Sequence, residues 1–294
     1  MRDVLANAAS AALLAILASA LALTAAWLSR RSRVWKLFHA GTSSKNSVVV
    51  VVPSFDIAPA SAAGTVPVQA GFAGTAISEL EYREALDLAD ALHAHPVVRL
   101  LQAVGLPERI VYRPLRCRVT ASMPVSRYAA NRQAALEEIT NTVRRTDCAV
   151  LVGGPVYNST TDVMLRQAPF AFEFYLGEEN GVPVRGVHIR AVHGNTERTF
   201  RRRESEAGGA YLEYAVVEAV DWQGTRLFLC AGTCAATTAA AVRKLRQDWR
   251  QLAKDFGTRG FGLVFELPLD SEAMRDRAPD MGRLQQCHVY SLGR

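Results

Sequence analysis

Apolar residues fall along this chain in three kinds of pattern, and each predicts a different element. From Val4 to Leu28 the apolar run is nearly unbroken, 25 residues without a charge. About 20 such residues suffice for a helix to cross a bilayer. Later the apolar runs are short: Ser47–Val52, with five consecutive valines, then Asp147–Val152 and Arg226–Gly232. Runs of that length read as strands buried on both faces of a sheet. Between them the spacing changes to that of one-sided helices. Glu79–His95 carries Leu80, Ala85, Leu86, Leu88, Ala89 and Leu92 inward, and a segment capped by Ser126 or Asn131 runs to about Arg145 with Ala134, Ala135, Ile139 and Val143 inward. A long helix from Thr233 to about Phe256 follows the third strand.

With Cys117–Ala121 as a further strand, the alternation predicts an α/β fold, a Rossmann-like, mostly parallel sheet. The second half alternates apolar and polar positions at Phe170–Tyr175 and Val184–Val192. With Ala210–Val220 these predict antiparallel strands added at a sheet edge. Phe261–Leu267 and Leu284–Leu292 read as a last pair of strands, and Pro96–Ala103 as a further helical turn or two. The division expected is an anchor at 1–30, a basic juxtamembrane linker at 31–46 and the α/β domain at 47–294.

The anchor reading rests on charge as well as length. Arg30, Arg31, Arg33 and Lys36 follow the apolar run, while Arg2, Asp3 and the amino terminus precede it. The positive-inside tendency then predicts a single-pass protein of the cell membrane with its C-terminal domain cytoplasmic. A cleaved signal peptide is the competing reading, with Ala-x-Ala at Ala18–Ala20. The weakly basic leading residues, the long apolar core and the charges after it count against that. Ala11, Ala15, Ser19, Ala22 and Ala26 form a stripe of small residues, a candidate surface for homo-oligomer formation in the membrane.

Composition adds exclusions. At 49% hydrophobic the chain holds enough apolar surface for a core. The net charge of +6 is largely accounted for by the basic run beside the anchor, so no nucleic-acid footprint is expected. Arg198, Arg201, Arg202 and Arg203 read as a solvated hairpin tip or as a contact for acidic headgroups. Cys117, Cys148, Cys230, Cys234 and Cys287 are odd in number and lack a Cys-x-x-Cys pair. They read as reduced thiols, with neither metal nor other cofactor implied.

Three strand ends carry the candidate chemistry: Ser54 and Asp56; Gly153, Gly154, Asn158 and Thr161; and Gly232, Thr233 and Thr238. Two of them lead into helix N-termini, whose free N–H groups and positive dipole end suit phosphate or carboxylate. Glycines there admit a ligand close to the backbone. A small anionic, nucleotide-like ligand is the partner expected. Neither Gly-x-Gly-x-x-Gly after a strand nor a phosphate-binding Gly-x-x-x-x-Gly-Lys loop is present. The segment from Ile57 to Ser78, rich in Ala, Gly, Pro and Thr, is a lid over this rim or a mobile insertion. Two other functions stay open. One is a membrane-anchored hydrolase or glycosyl-bond-cleaving enzyme using Asp56 or Glu173; the other is an interaction module whose crevice is filled by side chains.

The runs LVGGPVYNSTT and CAGTCAATTAAAV resemble a poorly characterised Rossmann-like domain of prokaryotic proteins. In that domain a strand ending Gly-Gly-Pro-x-x-Asn-x-x-Thr precedes a later strand ending Ala-Gly and a Thr-x-Ala-Ala helix start. The matching positions are Gly153, Gly154, Pro155, Asn158 and Thr161, then Ala231, Gly232, Thr238, Ala240 and Ala241. The resemblance covers Ser47 to about Phe256 and implies the fold without an activity. The layout is also similar, at fold level, to membrane-tethered nucleotide-sensing effectors of bacterial defence.

Overall fold

The computed structural model describes residues 2–39, 47–57, 74–93, 115–179, 182–193, 196–204, 210–271, 274–275 and 277–292. In chain order the elements are helix α1 (Arg2–Phe38), strands β1 (Ser47–Val52), β2 (Ser54–Ile57) and β3 (Gly74–Ile77), helix α2 (Glu79–His93), strand β4 (Arg116–Ala121), helices α3 (Val125–Ala130) and α4 (Arg132–Arg144), strand β5 (Cys148–Val152) and helix α5 (Ser159–Gln167). Then come strands β6 (Phe172–Glu179), β7 (Val182–His193), β8 (Thr196–Phe200), β9 (Arg203–Glu204), β10 (Tyr211–Trp222) and β11 (Thr225–Gly232), helix α6 (Ala235–Asp255), strand β12 (Gly260–Leu269), a 3-10 turn at Met281–Arg283 and strand β13 (Gln285–Leu292). The expected turn at Pro96–Ala103, the centre of the expected lid and the second half of the expected linker lie outside the described residues.

The main sheet runs β13-β12-β10-β11-β5-β1-β4, with β9 beside β10. Its core of β4, β1, β5 and β11 is parallel, and antiparallel strands extend it from β10 onward. The valines of β1 alternate between two cores: Val48, Val50 and Val52 join one, Val49 and Val51 the other. A strand whose two pleat faces are both covered must be apolar at every position. One face is covered by α2, α6 and the last turn of α1. The other is covered by α4, α5 and a separate three-stranded sheet, β6-β7-β8. The β10–β11 hairpin turns through Gln223 and Gly224, both at positive φ, as the twist of a two-residue connection demands.

Several expectations need correcting. Leu86 and Ala134, expected inward on their helices, are exposed. The strand-like segments at 170–175 and 184–192 do not extend the main sheet. They pair with each other, and Phe172, Ala191 and Phe200 are buried on the face of the main sheet. Alternation fixes which side of a strand is apolar, but not which sheet it joins. The segment around 210–220, expected at an edge, is β10, placed inside the sheet between β11 and β12.

Helix α1 continues through the basic residues to Phe38, and its last turn is part of the domain core. Leu37 and Phe38 are fully buried; the Phe38 ring lies 4.9 Å from Phe228 and 6.5 Å from Trp249. His39, at φ 53°, ends the helix in the left-handed conformation common there, and its Nδ1 lies 3.5 Å from Asp221. Among the described residues no helix is long and apolar enough to cross a membrane. The spanning role expected of Val4–Leu28 therefore rests on the sequence.

Candidate functional site

Because β1, β5 and β11 are neighbours and run parallel, their C-terminal ends share one rim. The three predicted loops begin there. The chain passes from β1 outward to β4 and returns to β5 on the other side of β1, so the strand order reverses between β1 and β5. In open α/β sheets such a reversal leaves a crevice where ligands bind.

The predicted residues divide by what they do at this rim. Gly153 stands at φ 86°, a conformation that disfavours any side chain, with Pro53 packed beside it. Gly154 is half-buried and faces the ring of Phe174 on β6. Ser54 is fully buried and donates to the Ser122 carbonyl at 2.7 Å, joining the ends of β1 and β4. For Asp56 the backbone in β2 is described and the side chain is not.

Asn158 is a crosslink. Its amide nitrogen donates to the carbonyls of Val51 (3.1 Å) and Val152 (2.7 Å), and its oxygen accepts from the amides of Thr160 (3.0 Å) and Thr161 (3.1 Å). These four bonds use the whole capacity of the side chain, so Asn158 frames the crevice and caps α5. Thr161, one turn into α5, is fully buried, and its hydroxyl has no hydrogen-bond partner. The Ser122 hydroxyl, at the end of β4, is in the same state. Buried polar atoms are nearly always paired, so two such hydroxyls on one rim are an anomaly that a bound polar group would relieve.

The β11 end is packed from within. A Cβ on Gly232 would overlap the Thr237 side chain, so this glycine serves close packing of α6 on the sheet. Thr233 accepts from the Tyr214 amide at 2.9 Å and donates to the fully buried Glu213 at 2.5 Å. Arg275 lies 2.8 Å and Arg202 3.6 Å from the same carboxylate. Cys234 caps α6 reciprocally with Thr237.

One rim residue was not singled out in the sequence: Glu81. It is 6% exposed, in the first turn of α2. Its carboxyl is hydrogen-bonded by the side chains of Ser78 and Thr238, and a Cβ on Gly153 would stand 3.9 Å from Oε1. Burial pushes the carboxyl up to about 7, against the opposing pull of the two hydroxyls. The signal that marks it in the sequence is Ser78-x-x-Glu81, a helix-capping pattern with no functional overtone. The helix is held in place by Glu84, buried between α2 and α6, which accepts from Arg243 Nε at 2.9 Å, and by the 2.8 Å pair of Asp87 and Arg246.

Glu173 does not reach the rim. Its neighbour Phe174 turns toward Gly154, so the alternation of the strand sends Glu173 away, where it pairs with Arg190 in the open. Among the described residues no group of three His, Cys, Asp or Glu is placed to hold a metal ion, and all five cysteines are free thiols. A surface groove between α6 and the β12–β13 edge, lined in part by Lys244, Asp248, Phe265 and Val289, lies outside this rim. No protein-family model, curated protein or solved structure matches the chain.

Proposed function

We propose that this chain is a single-pass membrane protein whose α/β domain binds a small anionic, nucleotide-like ligand at the crevice between β1 and β5. The observation that carries the reading is the Thr161 hydroxyl, fully buried at the start of α5 and without a partner. The positive end of α5 favours an anion at this point. In open α/β sheets a reversal of strand order is where space for a ligand arises. The site is narrower than its sequence signature: Gly153, Gly154, Thr161 and Thr238 border the crevice, while Asn158, Gly232 and Thr233 hold its walls. Calorimetric titration of the full chain in detergent against nucleotides and cyclic nucleotides tests this. Binding that Thr161→Val weakens supports it, and silence across the panel refutes it.

The membrane part of the proposal draws on α1. Leu13, Leu14, Ile16, Leu17, Leu21 and Leu23 are 40–71% exposed and cover about half the circumference at 100° per residue; alanines and Ser19 fill the other half, so no side of residues 11–26 carries a charge. A partner protein needs one apolar stripe, whereas a bilayer needs all sides. Ser19 and Thr24 turn their hydroxyls onto the carbonyls one turn back, each at 2.8 Å, as hydroxyls in lipid must. Val34 to His39 meet the domain beside Asp221, at the opposite end of the strands from the crevice. The crevice would then face the cytoplasm, away from the bilayer. The small-residue stripe remains the proposed contact for self-association, and ligand-dependent crosslinking is its test.

A further inference from the structure

We propose that Glu81 is the proton-bearing residue of the crevice, donating a hydrogen bond from its carboxyl to an anionic oxygen held beside Gly153 and Thr238. This rests on the anion-binding reading above and gives that site a pH-dependent gate. Glu81 stands where the three loops meet: Pro53 and Gly153 pack together beside it, and Thr238 at the start of α6 bonds to it. A glutamate that serves only to cap a helix is met in solvent, whereas this one is 6% exposed. The groups bonded to it are the hydroxyls of Ser78, just before α2, and of Thr238 from α6; Glu84, one turn on in α2, is paired with Arg243 from α6. From the ends of β1 and β5, Pro53 and Gly153 lie beside it. Glu84 is engaged by two arginines, and among the described residues burial and the two hydroxyls, with no neighbouring charge, act on Glu81. A neutral carboxyl is a donor as well as an acceptor, and an ionised one accepts only. The protonated form therefore receives an anion and the ionised form repels it.

The test uses the full chain in detergent and inorganic sulfate, whose charge does not change between about pH 5.5 and about pH 8.5. Wild type should bind with an affinity that falls up to about tenfold per pH unit above about pH 7, with uptake of up to one proton per sulfate in that range. Proton uptake is read by calorimetry in buffers of different ionisation enthalpy. Glu81→Gln should bind with no proton uptake and a flat pH profile. Thr238→Val removes a hydroxyl that favours the ionised form, and should move the midpoint to higher pH. A sloping profile that persists in Glu81→Gln, or a flat one in wild type, overturns the assignment to Glu81 while leaving the anion site standing. Absence of sulfate binding at every pH overturns both.

Discussion

Tyr290 reaches over an entire strand to Glu218, donating a 2.9 Å hydrogen bond to its carboxylate. The strand between them supplies the room: Gly262 of β12 pairs with Glu218 on one side and with Tyr290 on the other, and a Cβ there would overlap the tyrosine ring. Glu218 also accepts from the amides of Ala171 (2.7 Å) and Phe172 (3.3 Å). One fully buried carboxylate thus ties β10 and, across β12, β13 to the start of the second sheet.

Stability should fall as pH rises from about 4.5 toward 7. Burial raises the Glu218 carboxyl from 4.5 to about 7, and Glu81 is raised likewise. In that window the folded chain holds protons that the unfolded chain releases, at a cost of about 1.4 kcal/mol per pH unit for each group. The stabilisation is complete below about pH 4.5 and lost above about pH 7. Denaturant melts of wild type and Glu81→Gln across this range measure the slope, which should be shallower in the variant.

Gly262→Ala should be more damaging than Tyr290→Phe. The first forces the ring aside, an overpacking cost of about 1–3 kcal/mol added to the lost bond. The second removes only the hydrogen bond to the carboxylate, about 1.5–3 kcal/mol. Chemical denaturation of the two variants at one pH decides the order.

Thr161→Val should stabilise the free protein while weakening its ligand. The hydroxyl is fully buried without a partner, and an unsatisfied buried group costs about 1–3 kcal/mol. A variant that melts lower than wild type would show that the hydroxyl is bonded within the protein and carries no ligand.

Asn158→Ala should cost several kcal/mol, since the four backbone groups it satisfies are buried at the junction of β1, β5 and α5. Each group left unpaired contributes about 1–3 kcal/mol. A change of less than about 1 kcal/mol in urea denaturation would remove Asn158 from the framework of the rim.

The last turn of α1 should be indispensable to the domain. Phe38→Ala should destabilise by about 3–5 kcal/mol, the usual cost of emptying a buried phenylalanine site. A chain starting after Phe38 should aggregate or melt early, whereas one that keeps Val34, Leu37 and Phe38 should fold. Thermal melts of the two truncations are the measurement.

Local pattern alone identified β1, β5, β11, α4 and α6, because a strand buried on both faces must be apolar throughout and a helix on a sheet must be apolar on one side. It also marked where the rim loops begin, since glycines and helix caps announce themselves within a few residues. What it left undetermined depends on contacts between residues distant in the chain. The sequence pattern is blind to whether β6 and β7 join the main sheet or make their own, since alternation is the same in both cases. It gave Asn158 and Gly232 the look of ligand contacts, when one bonds to the carbonyl of Val51 over a separation of 107 residues and the other makes way for Thr237. Glu81 reads as an ordinary helix cap until packing sets Gly153 and Thr238 beside it. Chemistry that arises from burial is written in no single stretch of residues, and only the tertiary fold decides it.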